Sequence, residues 1–173
     1  MLTEFYREKL EIWIDDHPYY ESLNKKILRD SLTFDYEYSQ RLSGGYPSNV
    51  RAEKTVDIRI SSPSLEILYE WILNIIRGEY REIKFVMYNG WIAKYKEGED
   101  TISHNHIPAS FSFVYFVQCP KGSSPLIFTT SGKRIKAEEG KVVIFPGNMS
   151  HYVPKNKCDG RVVVAGNVRA VLK

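Results

Sequence analysis

Three of the four histidines in the chain fall in its second half, at positions 104, 106 and 151. His104 and His106 are two residues apart, so on a strand both side chains point to one face. His151 follows the strand-like segment Lys141–Phe145 and a short turn. Two imidazoles from one strand and a third from a distant one would make an open metal site. Three protein ligands leave coordination positions for a substrate or O₂, as a catalytic metal requires. The plainer alternative is three surface or core histidines. His17 stands alone before a proline in a polar stretch and is assigned no role.

Arg161 lies ten residues beyond His151 and opens the segment Arg161-Val162-Val163-Val164-Ala165-Gly166-Asn167. On a strand, Arg161, Val163, Ala165 and Asn167 would share a face. If that face points inward, a permanently charged guanidinium enters an apolar interior and needs an anionic partner. A bound carboxylate can meet it with two parallel hydrogen bonds. A solvent-facing arginine at a strand start is the competing reading.

These residues need a frame, and the hydrophobic pattern supplies one. Residues 3–40 carry apolar side chains at roughly helical spacing, with Phe5, Leu10, Ile12, Trp13 and Ile14 in one piece and Leu23, Ile27, Leu28 and Leu32 in the next. His17-Pro18 separates the pieces. Ser43–Asn49 is a loop by composition. A further helix starts at Ser62-Pro63 and stops near Gly78. Then the texture changes to short β-branched and aromatic runs: Ile83–Tyr88, Trp91–Tyr95, Phe111–Val117, Leu126–Thr130, Lys141–Phe145 and Arg161–Val168. Gly98 can make the tight turn before His104, and the Gly140–Pro146 segment reads as a buried strand that delivers His151. The sum is one α+β domain over residues 1–173, mainly helical over 1–80, with a sandwich or barrel over 81–173.

Bulk properties exclude several classes. The chain has 173 residues, 43% hydrophobic and 26% charged, which fits one globular domain. A formal charge of +3, with scattered basic residues, gives no ground for nucleic-acid binding. No stretch approaches the ~20 apolar residues of a membrane helix. The opening MLTEFYREKLEIW carries acids and lacks the apolar core of a secretory leader, so a cytoplasmic location is expected. Cys119 and Cys158 form no C-x-x-C pair and are read as reduced thiols. Edge strands and the helical part would suit a homodimer.

The stretch Tyr95–Asn167, less than half the chain, resembles the Fe(II)/2-oxoglutarate-dependent oxygenase superfamily. It is most similar to the prolyl-hydroxylase-like branch and to uncharacterised 2OG-Fe(II) oxygenases, some phage-encoded. The matching residues are Tyr95-x-x-Gly98, His104-Asn105-His106, Ser112–Phe116, Pro125–Phe128, Gly140…Ile144-Phe145-Pro146…His151, and Arg161 with Asn167. The resemblance implies a double-stranded β-helix (jelly-roll) barrel with the N-terminal helices packed on it. It implies Fe(II) on His104, His106 and His151, and 2-oxoglutarate with its distal carboxylate on Arg161. Tyr95 would lie beside this small-molecule cosubstrate, with Asn167 and Ser112 as further contacts to cosubstrate or substrate. Decarboxylation to succinate and CO₂ would be coupled to hydroxylation of a C–H bond. The primary substrate is a protein side chain such as proline by resemblance, or a small metabolite. The Leu42–Val50 loop and the Gly98–Ser103 turn would border the mouth. Two positions depart from the family pattern. His106 stands where a carboxylate ligand is usual, and Phe116 where prolyl hydroxylases carry a carboxylate-binding tyrosine. Tyr115 is adjacent but alternates to the other face.

The same residues also resemble a cupin, which shares the barrel. Gly98 followed by His104-x-His106 fits the first cupin motif, and Gly140…Pro146…His151 much of the second. The cupin glutamate ligand is missing, because Ser110 and Phe111 stand at its place, and Arg161 has no role there. A third class is a degenerate barrel that only binds a ligand or partner.

Overall fold

The computed structural model describes residues 9–38, 48–56 and 59–171. Two antiparallel sheets form a double-stranded β-helix. The larger sheet runs β1 (Trp13–Asp16), β10 (Lys141–Pro146), β7 (Phe111–Gln118), β12 (Arg161–Val171), β5 (Lys84–Tyr95), β4 (Glu53–Thr55) and β2 (Tyr36–Tyr38) in spatial order. The smaller runs β3 (Val50–Arg51), β6 (Asp100–His104), β11 (His151–Val153), β8 (Leu126–Phe128) and β9 (Arg134–Ile135). Helices α1 (Tyr20–Asp30) and α2 (Pro63–Glu79) pack on the outer face of the larger sheet.

That sheet is buried on both faces, which explains its unbroken apolar strands. In β7, Phe113 and Tyr115 point to the helices, while Val114 and Phe116 point between the sheets. In β12, Val162 and Val164 face the helices, whereas Val163 and Ala165 face inward. Period-two alternation thus sorts one sequence into two cores. Each fully buried Leu, Ile or Phe contributes roughly 1.5–3 kcal/mol by leaving water.

The helices are held by local chemistry as well as by apolar contact. Ser62 caps α2 by accepting a hydrogen bond from the Leu65 backbone N–H at 3.3 Å, and Pro63 occupies the first turn. Leu65, Leu68, Ile72, Leu73 and Ile76 line its buried side. Helix α1 buries Leu23, Asn24 and Ile27. The Asn24 amide donates to the Val117 carbonyl at 2.8 Å and accepts from the Tyr115 hydroxyl at 2.7 Å, so the buried polar group is satisfied.

Several elements differ from the reading of the sequence. Trp13–Asp16 is a strand, not helix, and pairs with the edge of β10, with Trp13 opposite Ile144. Its contiguous apolar run suits either state, and the β10 edge decides in favour of the strand. Tyr36–Tyr38 is also a strand. Residues 1–80 are therefore not a helical layer alone, because β1 to β4 join the sheets. The two segments expected over 83–88 and 91–95 are one strand, β5, running through Asn89-Gly90. Glycine is required there because a Cβ at Gly90 would overlap the Tyr69 hydroxyl. Most of the expected 43–49 loop lies outside the described residues. No helix among the described residues is long and apolar enough to cross a membrane.

Candidate metal centre

Strands β6 and β11 pair antiparallel, and His104 is directly opposite His151. Their rings are 4.5 Å apart, centroid to centroid. Strand β6 ends at His104, so His106 is not on the strand with it. Instead the chain turns, and the His106 backbone N–H donates to the Gly147 carbonyl at 2.7 Å. This brings the His106 ring to 4.8 Å from His104 and 5.2 Å from His151. One nitrogen from each imidazole lies within 4.8 Å of the others. No carboxylate joins this cluster among the described residues.

The ring nitrogens are oriented for ligation. His104 Nδ1 is 2.8 Å from the Ile102 carbonyl oxygen, and His151 Nδ1 is 2.9 Å from that of Met149. A carbonyl oxygen accepts only, so each Nδ1 carries the proton and leaves the Nε2 lone pair free. Burial, with some repulsion from the neighbouring histidines, lowers the His106 pKa to about 3 and that of His151 to about 4. Burial also lowers His104 from the usual histidine value. All three are neutral near pH 7, which is the ligating form. Three neutral imidazoles suit a borderline divalent transition metal.

Arg161 lies in the same narrow cavity as the histidines. It is 0% exposed, and none of its three guanidinium nitrogens has a hydrogen-bond partner among the described residues. Its guanidinium carbon sits 4.5 Å from the centroid of Tyr95 and 5.7 Å from that of Phe116. Tyr95 lines the cavity and holds the Thr101 hydroxyl at 2.7 Å. Val50 and Thr101 also line it, at the two segments expected to border the mouth. The larger groove of about 550 Å³, lined by Leu10, Ile12 and Met149 among others, contains none of these groups.

Ser112 and Asn167 are opposite each other across β7 and β12 on the inner face, but neither lines the cavity. The Ser112 hydroxyl donates to Asn167 Oδ1 at 2.7 Å, and the Asn167 side-chain amide Nδ2 donates to Asn89 Oδ1 at 2.8 Å. Tyr115 points into the helix-covered core, away from Arg161.

Two residues were not foreseen. The Lys54 ammonium sits 4.7 Å from the Trp91 ring centroid, and the Trp91 ring is 5.9 Å from His106. Burial lowers the Lys54 pKa, an effect partly offset by Glu37. Only the alternation Val50-x-Ala52-x-Lys54 hinted at an inward lysine, over too short a run to define a strand.

This architecture can be compared with known proteins. No family model matches the chain, and no curated protein matches it in sequence. Among solved structures, it superposes on the viral collagen prolyl hydroxylase of Paramecium Bursaria Chlorella virus-1, in its 2OG complex, with a TM-score of 0.73 at 14% identity, over 92% of this chain and 96% of that one. The fold is that of the 2OG-Fe(II) oxygenases. A Pseudomonas putida prolyl-4-hydroxylase gives a TM-score of 0.67 at 16% identity over 91% of each chain. HygX from Streptomyces hygroscopicus, with nickel and 2-oxoglutarate bound, gives 0.67 at 9% identity over 92% of this chain and 83% of that one.

Proposed function

We propose that the protein is a non-haem Fe(II)/2-oxoglutarate-dependent dioxygenase that hydroxylates a C–H bond. His104, His106 and His151 would hold Fe(II), and Arg161 the distal carboxylate of 2-oxoglutarate. One observation carries the reading: a fully buried, unpartnered guanidinium shares the cavity of three converging imidazoles. An uncompensated buried charge is costly, so the site calls for an anion there. A cupin site gives Arg161 no work.

Bound Fe(II) would let O₂ and 2-oxoglutarate convert R–H to R–OH with release of succinate and CO₂. The chain's own residues bind and orient. Arg161 offers paired N–H donors to one end of the cosubstrate. The Tyr95 and Phe116 rings pack against the guanidinium and hold it in place. The carbonyls of Ile102 and Met149 hold two imidazoles in the ligating tautomer. Trp91, Val163 and Ala165 exclude water from the cavity.

The substrate is a protein side chain, with proline first, or a small metabolite. Neighbours on this fold include prolyl hydroxylases and a structure with hygromycin B bound, so the fold serves both kinds. Two free thiols, Cys119 and Cys158, suit a reducing cytoplasmic setting.

The deciding experiment adds Fe(II) and 2-oxoglutarate to the protein without oxygen and records the weak visible charge-transfer band of the chelate. Succinate release on admitting air is the second readout. A band and succinate are expected. Metal uptake without either would favour the cupin alternative, and no metal uptake under any loading condition would end both enzyme readings.

A further inference from the structure

The proposed reaction uses the histidines and Arg161 but gives no task to Lys54. Lys54 is on β4, opposite Ala93, which lines the cavity. Ala93 belongs to the core between the sheets, and directly opposed residues share a face, so the Lys54 stem lies on the barrel's inner face. The residue is half-buried, and its ammonium rests against Trp91. Its cross-strand neighbour Glu37 attracts it, but the two form no ion pair among the described residues. Among the described residues no hydrogen bond holds the ammonium either.

Charge counting then favours an anion. Among the described residues, the cavity lining contains no acidic residue. Three neutral imidazoles would leave the two charges of Fe(II) uncompensated, and Arg161 and Lys54 add two more. A dianionic 2-oxoglutarate offsets two of these four and engages Arg161. Lys54 does not line that narrow cavity but adjoins it through Trp91, whose ring lies 5.9 Å from His106, so part of the surplus sits beside the histidine cluster.

We propose that Lys54 and Trp91 form a carboxylate-recognising subsite for the primary substrate, beside the histidine cluster. This deepens the oxygenase reading and rests on it for the role of the bound acid. The ammonium would take the charge, and the Trp91 ring against which it rests would hold it in place. A single ammonium beside an aromatic ring suits a singly charged carboxylate. A phosphate needs several converging donors, which Lys54 alone does not supply.

The test compares N-acetyl-L-proline with N-acetyl-L-prolinamide, and benzoate with benzamide, which differ at the charged group. Binding is measured calorimetrically on the Ni(II)- and 2-oxoglutarate-loaded protein and on the metal-free protein. The acids are expected to bind about ten-fold tighter than the amides, the worth of one charge-assisted hydrogen bond. Lys54→Met should bring that ratio to about one while amide affinity and nickel content stay unchanged. Glu37→Gln, which removes the competing acid, should leave the preference intact or widen it. Equal binding of acid and amide, no binding of either acid, or a preference that survives Lys54→Met would overturn the subsite. Failure of the oxygenase reading looks different: 2-oxoglutarate does not bind, while the acid preference persists in the metal-free protein.

Discussion

Arg161 and Tyr95 stand directly opposite each other on β12 and β5, with the guanidinium carbon 4.5 Å from the tyrosine ring centroid. The ring's electron-rich face gives the cation a partial partner at no cost in hydrogen-bond donors. All the N–H groups of Arg161 therefore remain available toward the cavity, and no group among the described residues satisfies them.

Replacing the charge should separate binding from stability. Arg161→Met should weaken 2-oxoglutarate binding by roughly 2–4 kcal/mol, the range for removing a buried charge partner. It should leave metal binding intact, because Arg161 is not a ligand. Since the wild-type charge is buried without a protein partner, its melting temperature should stay level or rise. The checks are the apparent KM for 2-oxoglutarate, metal content and a thermal melt. An unchanged KM would remove Arg161 from the site.

The ligand set makes a sharper claim about individual histidines. His104→Ala and His151→Ala should abolish Fe(II) or Ni(II) binding, read by calorimetry, because these two face each other from paired strands. His106→Asp should keep the metal and restore the His-x-Asp pattern usual in the resembled superfamily. Full metal affinity in either alanine variant would show that the site is misassigned.

The Arg161 position was legible because it depends on alternation along a strand with strong β patterning, whereas His106 reaches the cluster by a turn beyond β6 and not by alternation with His104. Arg161, Val163 and Ala165 do face inward together, and Tyr115 does face away. What was not legible depends on partners distant in sequence. Trp13–Asp16 becomes a strand only because β10 has an edge to offer. Asn89-Gly90 reads as a turn, yet Tyr69 needs the glycine so that β5 can pass. Alternation places Ser112 and Asn167 on the inner face but does not show that they bond to each other. Lys54 was missed because β4 is a three-residue strand, too short to show a period.

Acid should unfold the metal-free protein early. His17, His104, His106 and His151 all have folded-state pKa values below the ordinary 6.5, chiefly through burial. The unfolded chain thus binds more protons than the folded one between that value and the folded values. The associated stability is complete above pH 6.5 and is lost as pH falls through the folded values, about 4 for His151 and about 3 for His106. Melting temperature should therefore drop steadily from pH 7 towards pH 4. Bound metal should flatten the upper part of that drop, because it holds the imidazoles unprotonated. A melting temperature independent of pH over this window would contradict the burial of these rings.

The turn that carries His106 should be the most sensitive backbone element of the site. Its position rests on Gly147, whose carbonyl accepts from the His106 N–H at 2.7 Å and whose N–H donates to the Ser110 carbonyl at 3.1 Å. A Cβ at residue 147 would overlap the Ala109 carbonyl oxygen, which is backbone and cannot swing away. Gly147→Ala must therefore push residues 106–110 outward, carrying one imidazole with it. His104 and His151 are fixed by β6 and β11 and should stay in place. Metal affinity should fall roughly 10–100-fold, as it does when a ligand's supporting contacts are removed. Circular dichroism should show the sheets retained. Ring-proton NMR spectra of the metal-free variant should show His106 displaced while His104 and His151 keep their wild-type shifts. If metal affinity is unchanged in a folded Gly147→Ala protein, the contact between Gly147 and the turn is not what positions His106.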